Sequence, residues 1–321
     1  MLTRRHIRIK TFLALYAYVF SNNKEVIKGK KELIFSLNKV HELYITFLSA
    51  FIELKGFAEE KIENSKQKIR PTEDDLNPNT KFVNNKAILL LEKNLEFKSE
   101  LNKMKIQWRT EGAYNVIRQI YIELKDSEEY EDYMNSGGDS MEEDQMFLVS
   151  IFKNFILNNE LLQDVLEDSS IFWNDDLDLV ALSVIKTLDN FNEKLDENHS
   201  LIYLYKDESD EEFAMDLFVN TVEKDKECSE LIRTQIKNWD VERLAKTDVI
   251  LMNMAIVEAL YFPSIPTKVT MNEYIEISKF YSTPKSKGFI NGILDKIFKQ
   301  LKADGKINKM GRGLINKSST K

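Results

Sequence analysis

Three tryptophans occur in the 321 residues, and each stands 26 residues after a phenylalanine: Phe82 and Trp108, Phe147 and Trp173, Phe213 and Trp239. The copies lie 65 and 66 residues apart, and twelve residues after each tryptophan comes an aliphatic: Ile120, Ile185 and Leu251. The second and third copies also share Asp144/Asp210, Ile151/Leu217, Phe152/Phe218, Asn154/Asn220 and Leu166/Ile232. A fixed period of this kind marks a supersecondary unit that buries its apolar face against its neighbours. Each copy reads as one Phe-bearing helix, a connector and a Trp-led helix. The aromatic residues read as core, not as a cofactor box. The first copy is the faintest of the three.

Helix is the only element that suits these units. Glycine appears 10 times and proline 5 times, where average usage would give roughly 22 and 16. Turn-dense β folds and Gly-rich phosphate loops are therefore excluded. With 43% hydrophobic and 31% charged residues, the chain suits amphipathic helices with a buried and a solvated face. Its 11% aromatic content excludes disorder throughout. The expectation is an all-α fold.

Thr3 to Phe20 reads as a helix capped by Thr3, with Ile9, Phe12, Leu13, Tyr16 and Phe20 as its apolar stripe. Residues 31–65 read as one or two helices, and 66–81, holding Pro71 and Pro78, as a loop. The acidic run from Asp126 to Asp144 around Gly137 and Gly138 reads as a linker or mobile loop. Val249 to Leu260 is apolar on nearly every side, the mark of a buried central helix. A helix capped by Thr270 then runs to about Phe280, residues 282–288 make a turn, and a last helix runs from about Phe289 to Leu301.

Charge is segregated along the chain. Residues 1–35 hold eight Lys and Arg against two acids, and residues 265–321 hold twelve against four. The net charge is −8, so residues 36–264 carry −22 between two basic ends. Such a bipolar field fits a polyanion at the ends and a basic partner in the middle. On a helix, Arg4 and Arg8 share a face with Arg5 about 100° round, and arginine forks match phosphate oxygens. The second basic feature is Lys285-Ser286-Lys287-Gly288-Phe289, a small turn before a helix, where free N–H groups and flanking lysines suit an anion. Phe289 either stacks on an unpaired base or packs inward, and its place at a helix start favours packing. Residues after about 303 read as a solvated basic tail as readily as part of the fold.

Enzyme signatures are missing. The sequence has no P-loop, GxGxxG or GxSxG, no paired histidines among His6, His41 and His199, and one cysteine, Cys228. Asp175 and Asp176 fit a helix N-terminus better than an acid pair. No metal or cofactor is expected. No apolar run of about 18 residues occurs, and the basic, amphipathic N-terminus is unlike a signal peptide. A soluble cytoplasmic protein is expected.

The strings WDVERLAKTDVILMNMAIVE at 239–258, PTKVTMNEYIEISKFYS at 266–282 and FINGILDKI at 289–297 resemble the NusB family of bacterial transcription antitermination factors. The matching positions include Arg243, Asp248, Leu251, Glu258, Pro266, Lys268, Val269, Asn272, Glu273, Glu276, Lys279, Asn291, Gly292 and Asp295. Arg4-Arg5-His6-Ile7-Arg8 and Ala14-Leu15-Tyr16 are similar to that family's arginine-rich first helix. The resemblance implies a non-enzymatic, all-helical protein that binds single-stranded boxA-like RNA together with the ribosomal protein NusE. It acts on the RNA polymerase elongation complex, in ribosomal RNA synthesis. Carried over by position, Arg4, Arg5, His6, Arg8 and Lys10 meet RNA from one side, and Lys285, Ser286, Lys287 and Phe289 from the other. Glu258 and Tyr16 fall where the family turns toward NusE, while the residue-level reading of Glu258 is a helix-end charge or an internal salt bridge.

The chain departs from that family in length, being more than twice the typical size. The expected organisation is a first helix (1–23), an inserted helical region (24–209), the main NusB-like domain (210–303) and a basic tail (304–321). His6 stands where the family carries a third arginine, and Gly288 where a basic residue is common. The competing reading is a helical protein–protein adaptor whose acidic middle binds basic partners without RNA. An RNA-modifying enzyme carrying this module as an appendage would need a βαβ cofactor domain, and none is visible.

Overall fold

The computed structural model describes residues 1–21, 25–104, 108, 111–236 and 244–314. Trp239 and Arg243 lie outside the described residues. Among those described, the chain forms α-helices and no strand. In chain order they are α1 (Arg4–Phe20), α2 (Val26–Lys66), α3 (Glu73–Leu76), α4 (Lys86–Lys93), α5 (Leu95–Met104), α6 (Glu111–Lys125), α7 (Glu128–Asn135), α8 (Met141–Ile151), α9 (Glu160–Ser169), α10 (Leu177–Asn190), α11 (Ser209–Glu223), α12 (Asp225–Gln235), α13 (Lys246–Tyr261), α14 (Thr267–Tyr281) and α15 (Ser286–Ala303). A π-helical turn, Phe152–Ile156, extends α8. No described helix is long and apolar enough to cross a membrane.

The chain divides into two compact units. A middle unit comprises Met1 and Asn38–Leu204, and a terminal unit comprises Leu2–Leu37 and Tyr205–Lys321. The first division falls inside α2, which is one helix of 41 residues.

The repeat has a structural counterpart. Shifted by 66 residues, α8 with its π-turn, α9 and α10 fall on α11, α12 and α13. In the first copy α5 and α6 keep this spacing, but Phe82 sits in a turn and not in a helix. The expected connector therefore contains a helix of its own. Trp108 and Trp173 each precede a helix and are buried, donating from Nε1 to Ser49 Oγ (2.7 Å) and to the Lys39 carbonyl (2.9 Å) on α2. Phe152 and Phe218, equivalent in the repeat, are both fully buried. Phe152 meets the rings of Phe47 and Phe51 on α2, and Phe218 meets Tyr18 on α1. Gly29 also lies against Phe218, where a Cβ would come within 2.4 Å of the ring.

Four expectations are corrected. The acidic run from Asp126 contains α7 and the start of α8. Ser127 and Ser140 cap these helices, and the acids fill their first turns, where the helix dipole favours them. Within the 66–81 loop, Thr72 and Asp75 form a capping box that nucleates α3. On α1 the buried face is Ile7, Arg8, Thr11, Phe12 and Leu15, while Tyr16 and Phe20 are exposed. The helix is rotated because the carboxylate that pairs with Arg8 lies inside the unit. Finally, α14 starts at Thr267, with its cap at Pro266 four residues before the expected Thr270, and α15 starts at Ser286, three residues before Phe289. Thr270 and Ser286 both serve buried carboxylates instead of capping at the surface.

In the terminal unit α13 is the central helix, buried from Ile250 to Ala259 and packed by α1, α11, α12, α14 and α15. Polar residues on it, Asp248, Asn253 and Glu258, are buried too.

Candidate nucleic-acid interface

The first turn of α1 sets three arginines in three directions. Thr3 caps the helix: its hydroxyl accepts from the His6 amide (3.4 Å), and its own amide donates to His6 Nδ1 (3.4 Å). His6 thus holds the capping-box position usually given to Glu or Gln. Burial, then the charges of Arg5 and Lys10, lower its pKa, so it stays neutral and able to accept.

Arg4 pairs with Asp210 (2.6 Å), donates to Ser209 Oγ (2.8 Å) and lies over the Phe213 ring, 4.4 Å from its centroid. Arg5 forms a two-pronged pair with Glu273 on α14 (2.8 Å for both bonds) and is half exposed. Its hydrogen bonds hold the Glu273 carboxyl below the usual range. Arg8 points inward and grips Glu258 with bonds of 2.7 and 2.9 Å. Burial alone would lower its pKa, but the Glu258 charge and hydrogen bonds outweigh this and raise it. Thr270 (2.7 Å) and Tyr274 (3.1 Å) donate to the same carboxylate, which is 0% exposed. Of the three readings of Glu258, toward NusE, a helix-end charge or an internal salt bridge, its place here is the internal salt bridge with Arg8. Lys10 is also buried.

The second basic feature is arranged differently. Lys285 and Lys287 are exposed, but Ser286 is buried and donates to Asp248 Oδ2 (2.8 Å). Ser282 donates to the other oxygen of that carboxylate and bonds Thr247, while Thr283 bonds Ser286. A carboxylate of the protein thus already occupies the hydroxyl cluster at the start of α15. Phe289 is half-buried.

Arg4, Arg5, His6 and Arg8 line one cleft of about 1110 Å³. Its other wall is the turn Ser264-Ile265-Pro266 and the first turns of α14, with Lys268, Val269, Asn272 and Glu273. Lys268 and Asn272 are exposed and one helical turn apart. Sequence reasoning gave them no role, although their i, i+4 spacing beside Pro266 was readable. Lys10, Lys285, Ser286, Lys287 and Phe289 do not line the cleft. On α14, Glu276 pairs with Lys279, and that hydrogen bond holds its carboxyl below the usual range. Tyr16 lies farther along α1, 40% exposed, with its ring 4.7 Å from the exposed Phe20.

This geometry offers exposed cations beside the apolar side chains of Ile265, Pro266 and Val269. Among the described residues no group of acids, histidines and cysteine is placed to hold a metal ion.

The profile of the NusB family matches residues 179–299. The transcription antitermination protein NusB of Salinibacter ruber is 42% identical over 139 residues, 41% of this chain and 86% of that protein. The protein of the same name from Chloroherpeton thalassium is 39% identical over 105 residues, 33% of this chain and 50% of that one. That of Natranaerobius thermophilus is 46% identical over 72 residues, 22% of this chain and 52% of that one. No solved structure matches.

Proposed function

The chain belongs to the NusB family of transcription antitermination proteins, and from that premise we propose that it acts as an RNA-binding scaffold. In this reading it holds a single-stranded, boxA-like RNA together with the ribosomal protein NusE and stabilises the elongation complex during ribosomal RNA synthesis. The terminal unit, Leu2–Leu37 and Tyr205–Lys321, carries the RNA in this reading; it contains the expected 1–23 segment from Leu2 onward, the expected 210–303 segment and the basic 304–321 segment, with most of the expected 24–209 insertion in the middle unit.

The observation that carries the reading is the cleft lined by Arg4, Arg5, His6 and Arg8 on α1, with exposed Lys268 on its opposite wall. Phosphates would run past Arg4, Arg5, Lys268, Lys285 and Lys287, which position the strand, while exposed bases supply selectivity. Arg8, His6, Lys10 and Ser286 act from behind, by fixing α1 and the start of α15. Tyr16, with Phe20, faces NusE.

Binding of a boxA-like oligonucleotide to the full chain, with and without NusE and across a salt series, tests this. Arg5→Ala and Lys287→Ala should each weaken RNA binding and reduce the salt slope by about 0.7 for each phosphate of a single strand that is no longer neutralised. If both leave affinity and slope unchanged, the RNA reading fails. Binding of NusE alone would then favour the adaptor reading, which the middle unit's 18 Lys and Arg against 33 Asp and Glu supports.

A further inference from the structure

The chain does not leave the terminal unit after α15. Gly305, at φ +66°, reverses its direction, and the amides of Lys306 and Ile307 return to the Leu301 carbonyl. Glycine is the residue that takes this left-handed turn without strain. Residues 306–310 then run back to the end of α13. There the Met310 amide donates to the Pro263 carbonyl (3.0 Å), and Lys309 Nζ donates to the carbonyls of Phe262 (2.9 Å) and Glu258 (3.4 Å). Part of the basic segment expected as a solvated tail is thus a strap.

We propose that this strap is a positioning device for the arginine cleft, with Lys309 as its pin. The inference rests on the RNA-scaffold reading of that cleft. Pro263 immediately precedes Ser264-Ile265-Pro266, the cleft wall facing α1. That wall follows the end of α13, where the Glu258 and Phe262 carbonyls accept from the Phe262 (3.2 Å) and Ile265 (3.1 Å) amides. Lys309 adds a second donor to both carbonyls, tying the strap to this turn, and brings a cation to the negative end of the α13 dipole. Its ammonium is half withdrawn from water, and this burial pulls its pKa down to about 8, with the Glu258 charge opposing and Lys302 adding to the effect. A lysine so placed is turned toward carbonyl groups, away from any phosphate in the cleft. The same backbone segment carries Glu258, which holds Arg8. One strap therefore bears on both sides of the cleft: the turn through Pro263, and α1 through Glu258 and Arg8.

The test compares the full chain with Lys309→Met and Lys309→Arg, reading amide hydrogen exchange and the salt dependence of binding to a boxA-like RNA. In Lys309→Met, exchange at Met310 and Ile265 should accelerate by about tenfold. RNA affinity should fall by roughly three- to tenfold, with the salt slope unchanged and Lys309→Arg restoring both. Unchanged exchange at Met310 and Ile265 overturns the proposal. So does a salt slope that falls by about 0.7, since Lys309 would then be a phosphate ligand. If the unmodified chain binds no RNA, the scaffold reading falls, and the strap is judged by exchange alone.

Discussion

The middle and terminal units share a helical plan and differ in charge. From the sequence, the middle unit carries a formal −15 and the terminal unit +7. Their cores correspond: Phe152 and Phe218 occupy equivalent positions, each against an aromatic residue of a leading helix. Asp144 and Asp210, also equivalent, are both buried at a helix start. In the middle unit Asp144 accepts from the Tyr133 hydroxyl and the Lys86 amide, both at 2.6 Å. In the terminal unit Asp210 instead holds Arg4, which borders the cleft. Apolar burial sets the common scaffold because it is non-directional. The polar groups added to it decide whether a unit presents cations.

The largest test of that comparison is the shared core. Phe152→Ala and Phe218→Ala should each cost about 3–5 kcal/mol in urea unfolding. A much smaller loss at one site would show that the two phenylalanines are not equivalent.

A second test separates the units. Arg8→Met leaves Glu258 buried without its cation and should cost about 3–5 kcal/mol. In the middle unit, Tyr44 bonds Thr187 (2.7 Å) and accepts from the Ile202 amide (3.4 Å). Tyr44→Phe should cost only about 1 kcal/mol. Equal costs would mean that the buried ion pair adds nothing particular to the terminal unit.

The pH dependence follows from two groups in the terminal unit. His6 has a lowered pKa, so the folded state binds its proton less readily than the unfolded chain. Stability from this source is full above about pH 6.5 and is lost as pH falls through the folded value. The Glu273 carboxyl is lowered by Arg5, so its contribution is full above about pH 4.5 and disappears further into acid. His6→Gln, which keeps a capping-box residue, should reduce the loss of thermal stability below about pH 6.5, leaving the part due to His41, whose pKa burial also lowers. An undiminished loss would assign it to other groups.

The smallest expected change in stability is at Arg5. Its pair with Glu273 is half exposed, so Arg5→Ala should change stability by about 0–1 kcal/mol while weakening RNA binding. Loss of both together would make Arg5 a structural residue.

Much of this was legible in one sequence. The tryptophan period located the helices of the second and third copies, because aromatic cores recur with the unit that buries them. Thr3 signalled the start of α1, and unbroken apolarity marked α13. The acidic run misled because composition alone does not separate a solvated loop from the charged first turn of a helix. Serine caps at 127 and 140 were the better signal. Lys268 and Asn272 were visible as a spaced pair, but only the fold put them across a cleft from α1.

The sequence by itself determined an all-α chain of NusB type with a repeated aromatic core and two basic ends. Those properties depend on which residue types recur and how often, and both are written along the chain. Only the tertiary structure decided that Arg8, Lys10 and Ser286 turn inward while Arg5, Lys285 and Lys287 stay exposed, and that Lys309 donates to the carbonyls at the end of α13. An ion pair needs its partner at about 3 Å and in line, and Arg8 and Glu258 stand 250 residues apart in the chain.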